Sequence, residues 1–181
     1  MRWLNVKIYV GVTDKDWYEQ LKAQKPDEVN FWKPGSSNFK ALQPNDMFLF
    51  KLHHPMNYIV GGGFFVRFSL LPPFLAWQAF GFKNGTNSYE VLLKRINKYR
   101  GRSGINRDDN PIGCIILTEP FFFDECDWIP VPENWNLNIV QGKTYDTSTE
   151  GGKRLYTQVV DRLQVNNTID SIAPLNKPCA N

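Results

Sequence analysis

The sequence predicts an α+β domain: a small curled β-barrel of about five to seven strands with several peripheral helices. Three observations point there. Strand-like and helix-like segments alternate along 181 residues, a length that suits one domain with its own core. Hydrophobic residues make up 42% and charged residues 22%, the balance of a globular chain. A triple glycine, Gly61-Gly62-Gly63, interrupts a long apolar stretch; glycine inside a strand marks a bulge, a bend or a close backbone approach, as where a small sheet curls.

Residues 6–12 are rich in β-branched side chains and read as a buried first strand. A helix follows at once, with Thr13 placed to cap it, Asp14 and Asp16 in its first turn, Trp17 and Leu21 on one face, and Pro26 past its end. Residues 28–32 form a short strand before a loop of turn formers, Lys33-Pro34-Gly35-Ser36-Ser37-Asn38. Residues 47–52 and 58–68 pair as a hairpin through His53-His54-Pro55-Met56-Asn57. A short helix over 74–80 closes at Gly81, and a longer one over 87–99 places Leu92, Ile96 and Tyr99 on one face. Residues 112–117 form a near-continuous apolar strand, 138–145 a last strand, and 150–163 a final helix with Leu155, Val159 and Leu163 in register. The domain therefore spans 1–164, and 165–181 is a polar tail or the start of a linker.

Function classes fall away quickly. No apolar stretch approaches the ~20 residues of a membrane helix, and no signal peptide is visible, so a cytoplasmic protein without a membrane partner is expected. Cys114, Cys126 and Cys179 have no metal or disulfide spacing. The G-x-S-x-G elbow, the phosphate loop and the H-E-x-x-H motif are absent. His53 and His54 are neighbours that point to opposite faces if extended, which favours a solvated turn. Cys114 sits in the apolar 112–117 strand and reads as packing. Asp124, Glu125 and Asp127 could hold a divalent ion, but clustered surface carboxylates are usually only solvated loop. Asn84-Gly85-Thr86 and Asn166-Asn167-Thr168 match the glycosylation sequon, which carries no meaning without secretion. No catalytic residue and no cofactor are therefore assigned.

What remains is aromatic and basic. Trp32 and Phe39 bracket a small-residue loop flanked by Lys33 and Lys40, a setting that suits a flat ligand such as an extruded base. The net charge is only +3, but its distribution is uneven. Residues 91–107 contain no acidic residue and carry Lys94, Arg95, Lys98, Arg100, Arg102 and Arg107, which predicts one local basic surface.

The order of these residues resembles the EVE branch of the PUA-like superfamily, which also includes ASCH, YTH and SRA-type domains. The matching positions are Trp32, Gly35, Asn38, Phe39 and Lys40, then Asn45-Asp46 with Phe48 and Phe50, then Ile59-Val60-Gly61-Gly62-Gly63. Asn45 stands where the family has glycine, a mild change because asparagine tolerates a left-handed turn. Longer strings, including Gly11-Val12-Thr13-Asp14, Val29-Asn30-Phe31-Trp32 and Asn138-Ile139-Val140-Gln141, are similar to the N-terminal region of bacterial HNH-type restriction endonucleases. The resemblance implies a specificity domain that binds modified double-stranded DNA, with a nuclease domain attached or partnered elsewhere. It implies a flipped base on Trp32, with Trp17 or Phe39 opposite and Asn30, Ser36, Asn38 or Gln141 at its polar edge. Phosphates would fall to Lys33, Lys40, Lys94, Arg95, Lys98, Arg100 and Arg102. A reader of modified RNA and a small-molecule or nucleotide-binding domain or enzyme using the same pocket are the rival readings.

Overall fold

A computed structural model describes residues 5–102 and 109–170. The element order is β1 (Lys7–Thr13), α1 (Lys15–Gln24), β2 (Glu28–Lys33), β3 (Met47–Leu52), β4 (Tyr58–Leu71), α2 (Pro73–Phe80), α3 (Tyr89–Tyr99), β5 (Ile112–Phe122), β6 (Ile129–Pro130), β7 (Gly142–Asp146) and α4 (Glu150–Asp170). The strands form one seven-stranded sheet in the order β2-β5-β4-β3-β1-β7, with β6 beside β4. The expected α+β architecture is present, as an open curled sheet with four helices among the described residues.

Of the described ladders only β1 with β3 is parallel, Thr13 opposite Leu52; every other one is antiparallel. The crossover between them carries α1 and β2, as a parallel connection requires. The long β4 is bent where the triple glycine lies. A Cβ at Gly61 would overlap the carbonyl of Phe121, and one at Gly62 would come within 2.5 Å of the Phe48 carbonyl. Register shifts fall within and just after this stretch, between Gly62 and Phe64 and between Phe65 and Arg67. Small residues let the neighbouring strands close in, and the bulges bend the sheet around a core.

That core has three parts because side chains alternate across a strand. The inner face of the curl is aromatic: Phe31, Phe48, Phe50 and Phe65 pack with Trp17, Tyr18 and Leu21 of α1. The outer face of β1 and β3 sends Ile8, Val10, Met47 and Leu49 against Leu155 and Val159 of α4. The outer face of β5 sends Ile112, Cys114 and Ile116 against α2 and α3. Cys114 is fully buried, as the apolar strand around it implies.

Several boundaries differ from those expected. The residue before α1 is Asp14 rather than Thr13, and its carboxylate makes no capping bond. The strand starting at Ile112 runs to Phe122, through Pro120 and much of the aromatic triplet. The last strand begins at Gly142, four residues later than the expected Asn138. The final helix continues past Leu163 to Asp170; residues 171–181 and Arg107 lie outside the described residues. No helix among the described residues is long and apolar enough to cross a membrane.

Candidate functional site

Parallel β1 and β3 finish side by side, and the amide of His53 donates to the carbonyl of Thr13 at 3.3 Å. This brings the residues just after each strand, Asp14 and His53, to the same end of the curl. β2 ends there as well. A cleft of about 280 Å³ opens at this end, walled by Tyr9, Phe31, Trp32, Phe39 and Tyr99. Trp17 forms its floor. Thr13, Asp14, Lys33, His53 and Gln141 supply its polar atoms.

The floor is tightly built. Trp17 is only 3% exposed and meets Phe31 and Phe50 edge to face, with ring centroids 5.4 and 4.9 Å apart. Gly11 lies beneath, where a Cβ would come within 2.5 Å of the Phe48 ring; the bare backbone lets Phe31 and Phe48 lie across β1. Phe39 closes the next wall, edge-on to Tyr9 at 5.0 Å. Trp32, on the edge strand β2, is half-buried, turned with Asn30 toward the cluster under α2 and α3 while still lining the cleft. Its Nε1 donates to the Asn84 carbonyl at 3.0 Å, and its ring lies edge-on to Tyr99 at 6.2 Å.

The polar group at the mouth comes from three distant segments. The Tyr99 hydroxyl donates to Asp14 Oδ1 at 2.6 Å, and His53 Nε2 lies 3.3 Å from the same oxygen and 3.4 Å from the hydroxyl. Burial and then the hydrogen bond to Asp14 push the Tyr99 phenol well above the ordinary tyrosine value. Across the cleft, Lys33 Nζ donates to Ser37 Oγ at 2.9 Å, and partial burial lowers its pKa. Lys33 has its place because Gly113 stands opposite, where a Cβ would lie 2.7 Å from the Lys33 Cγ.

The structure thus gathers Trp17, Trp32, Lys33, Phe39 and Gln141 around one cleft. Other expected site residues are elsewhere. Asn30 is fully buried on the outer face, its Nδ2 donating to Asn84 Oδ1 at 2.9 Å; strand alternation sends it away from the side occupied by Phe31. Ser36 and Asn38 lie on the loop and do not line the cleft. Two arginines expected at phosphates are engaged with protein. Arg95 donates to the Gly85 carbonyl at 3.1 Å and lies 3.8 Å from Asp16. Arg100 donates to the carbonyls of Pro34, Asn110 and Pro111 at 2.9 to 3.0 Å. Lys40, Lys94, Lys98 and Arg102 are exposed, and Lys98 adjoins Tyr99 at the cleft mouth.

Asp14, His53 and Tyr99 were not among the expected site residues, and His53 is more than the solvated turn its neighbourhood suggested. Asp124 is paired with Lys22 at 2.8 Å. No group of three potential metal ligands occurs among the described residues.

The solved structures most informative for this architecture are two variants of the ASCH protein from Zymomonas mobilis. They superpose with TM-scores of 0.50 and 0.51 at 8% and 7% identity, covering 83% of this chain and 96% and 94% of theirs. The fold is that of an ASCH protein. ASCH domains lie in the PUA-like superfamily, so the expected fold holds at that level, and at this identity the likeness concerns fold alone. No protein-family model matches the sequence, and no curated protein matches it.

Proposed function

We propose that this chain is a nucleic-acid reader that draws one unstacked, modified base into the cleft and holds it against Trp32. The observation that carries the reading is the open aromatic cleft with Trp32 half-buried in its wall. A fully packed indole could not take a base, and a fully exposed one would have no fixed orientation. An aromatic wall supplies about 1–3 kcal/mol per stacked base. The polar edge of the base would meet Gln141, Thr13 and the Asp14, His53 and Tyr99 group. Lys33 at the cleft and the exposed Lys40, Lys94, Lys98 and Arg102 suit phosphates, which position a duplex without reading its sequence.

The finer form of the proposal is modified double-stranded DNA, with base flipping, as the specificity part of a modification-dependent restriction endonuclease whose HNH nuclease is supplied by another domain. Support for that form is the similarity of residue strings described above. Binding is tested with matched DNA and RNA oligonucleotides, with and without a 5-methylcytosine, across a range of salt. The expected result is tighter, salt-dependent binding of modified DNA duplex. Preference for modified RNA would transfer the same pocket to the RNA reading, and equal, salt-insensitive affinity for every oligonucleotide would remove the reader reading altogether.

A further inference from the structure

We infer that the turn Asn84-Gly85-Thr86, beside the edge strand β2 and α1, sets the positions of both cleft tryptophans and is therefore a positioning element for the site. Two adjacent residues of this turn touch the two indoles in different ways. The carbonyl of Asn84 accepts the Trp32 Nε1 hydrogen at 3.0 Å. Gly85 presses its Cα side onto Trp17, so closely that a Cβ there would overlap the indole Cδ1. Gly85 also has φ +75, a conformation that side chains with a Cβ rarely adopt.

The turn is anchored far more firmly than a surface connection needs. Asn84 and Thr86 are both fully buried. Asn84 Nδ2 donates to the carbonyls of Gly81 at 2.8 Å and Ala76 at 3.2 Å, while its Oδ1 accepts from Asn30. Thr86 Oγ1 donates to the Ser88 carbonyl at 3.2 Å. Buried polar side chains with this many partners fix a backbone in one arrangement. The Asn84 carbonyl is thereby held at one point, and the Trp32 indole is oriented by it. A helix-to-helix connection that served only to join α2 to α3 would need neither contact with the two rings.

Amide spectra of the 15N-labelled chain test this through the indole N–H signals, with Trp32 and Trp17 assigned from their loss in Trp32→Phe and Trp17→Phe. In Asn84→Ala the Trp32 signal is expected to move and its hydrogen exchange to quicken by up to about tenfold, the size of one released hydrogen bond. In Gly85→Ala the Trp17 signal should move instead. Should Asn84→Ala fail to fold, Asn30→Ser removes just one of the three Asn84 side-chain bonds and is expected to shift Trp32 less, in the same direction. A folded Asn84→Ala protein with both indole signals at their original positions would overturn the inference. The second readout, affinity for the modified oligonucleotide, rests on the reader proposal and should fall in Asn84→Ala although Asn84 does not line the cleft. If the unaltered chain binds no oligonucleotide, the reader proposal fails while the indole signals still decide the role of the turn.

Discussion

The two sides of β1 and β3 are made by the same two strands and have opposite fates. On the outer side, Ile8, Val10 and Leu49 are fully buried beneath α4 in a layer that also holds Phe123, Trp135 and Tyr145, and the strands are closed over there. On the inner side the same strands carry large rings; Phe48 and Phe50 are fully buried, whereas Tyr9 is left half-buried in the wall of the cleft. The difference lies in coverage at the strand ends, where Tyr9, Trp32, Phe39 and Tyr99 stay partly or largely exposed around the cleft while the middle of each strand is packed on both sides. The closed side should therefore govern stability and the open side binding.

Truncation on the closed side should have the largest effect. Leu155→Ala removes a buried α4 side chain and is expected to cost about 2–5 kcal/mol of stability in urea unfolding. Oligonucleotide affinity should stay unchanged at temperatures where the variant is folded. Trp32→Ala tests the cleft. Binding of the modified oligonucleotide should weaken by about 1–3 kcal/mol, and the unfolding midpoint should fall as well, because the indole also packs on the α2 and α3 side and donates to Asn84; an affinity of the folded variant equal to the parent's would mean that the cleft is not the binding site. Tyr99→Phe removes the donor to Asp14 and should cost about 0.5–1.5 kcal/mol, divided between stability and binding, by the same two measurements. Changing Lys94 and Lys98 together to glutamine should leave stability alone and lower the salt slope of DNA binding by about 0.9 for each phosphate that is no longer neutralised.

The smallest effect sharpens the contrast through pH. Burial raises the phenol of Tyr145, on the closed side, from 10.0 to about 12. Between these values the folded chain keeps a proton that the unfolded chain releases, so this group's contribution to stability is complete below pH 10 and declines as pH climbs toward 12. Tyr145→Phe should flatten that part of the stability profile; an unchanged slope would mean the phenol is not shielded as its packing indicates.

Much of this arrangement was legible in the residue order. Periodicity located the strands and helices, the triple glycine marked the bend, and the pairing of Trp32 with Phe39 pointed to the loop beside the cleft. Asn30 was misplaced for a reason the sequence itself contained: with Phe31 and Lys33 turned inward, Asn30 and Trp32 on either side of Phe31 must turn outward, and of these two only Trp32 reaches the cleft. Asp14, His53 and Tyr99 were out of reach because only the parallel pairing of β1 with β3, and the docking of α3 beside them, brings three segments so far apart in the chain to one oxygen. The Asn84-Gly85-Thr86 string drew notice as a sequon, while its buried role depends on Trp17 and Trp32 arriving from other elements.

Arg100 bears on how any charge-reversal survey of this surface is to be interpreted. Its guanidinium joins the backbone at Pro34, one side of the aromatic loop, to the backbone at Asn110 and Pro111, just before β5. Removing that cation would slacken the loop leading from Trp32 to Phe39, so a drop in ligand affinity would report a distorted binding wall. Measured beside the exposed Lys98, Arg100 offers a way to tell a weakened attraction to phosphate from a broken brace.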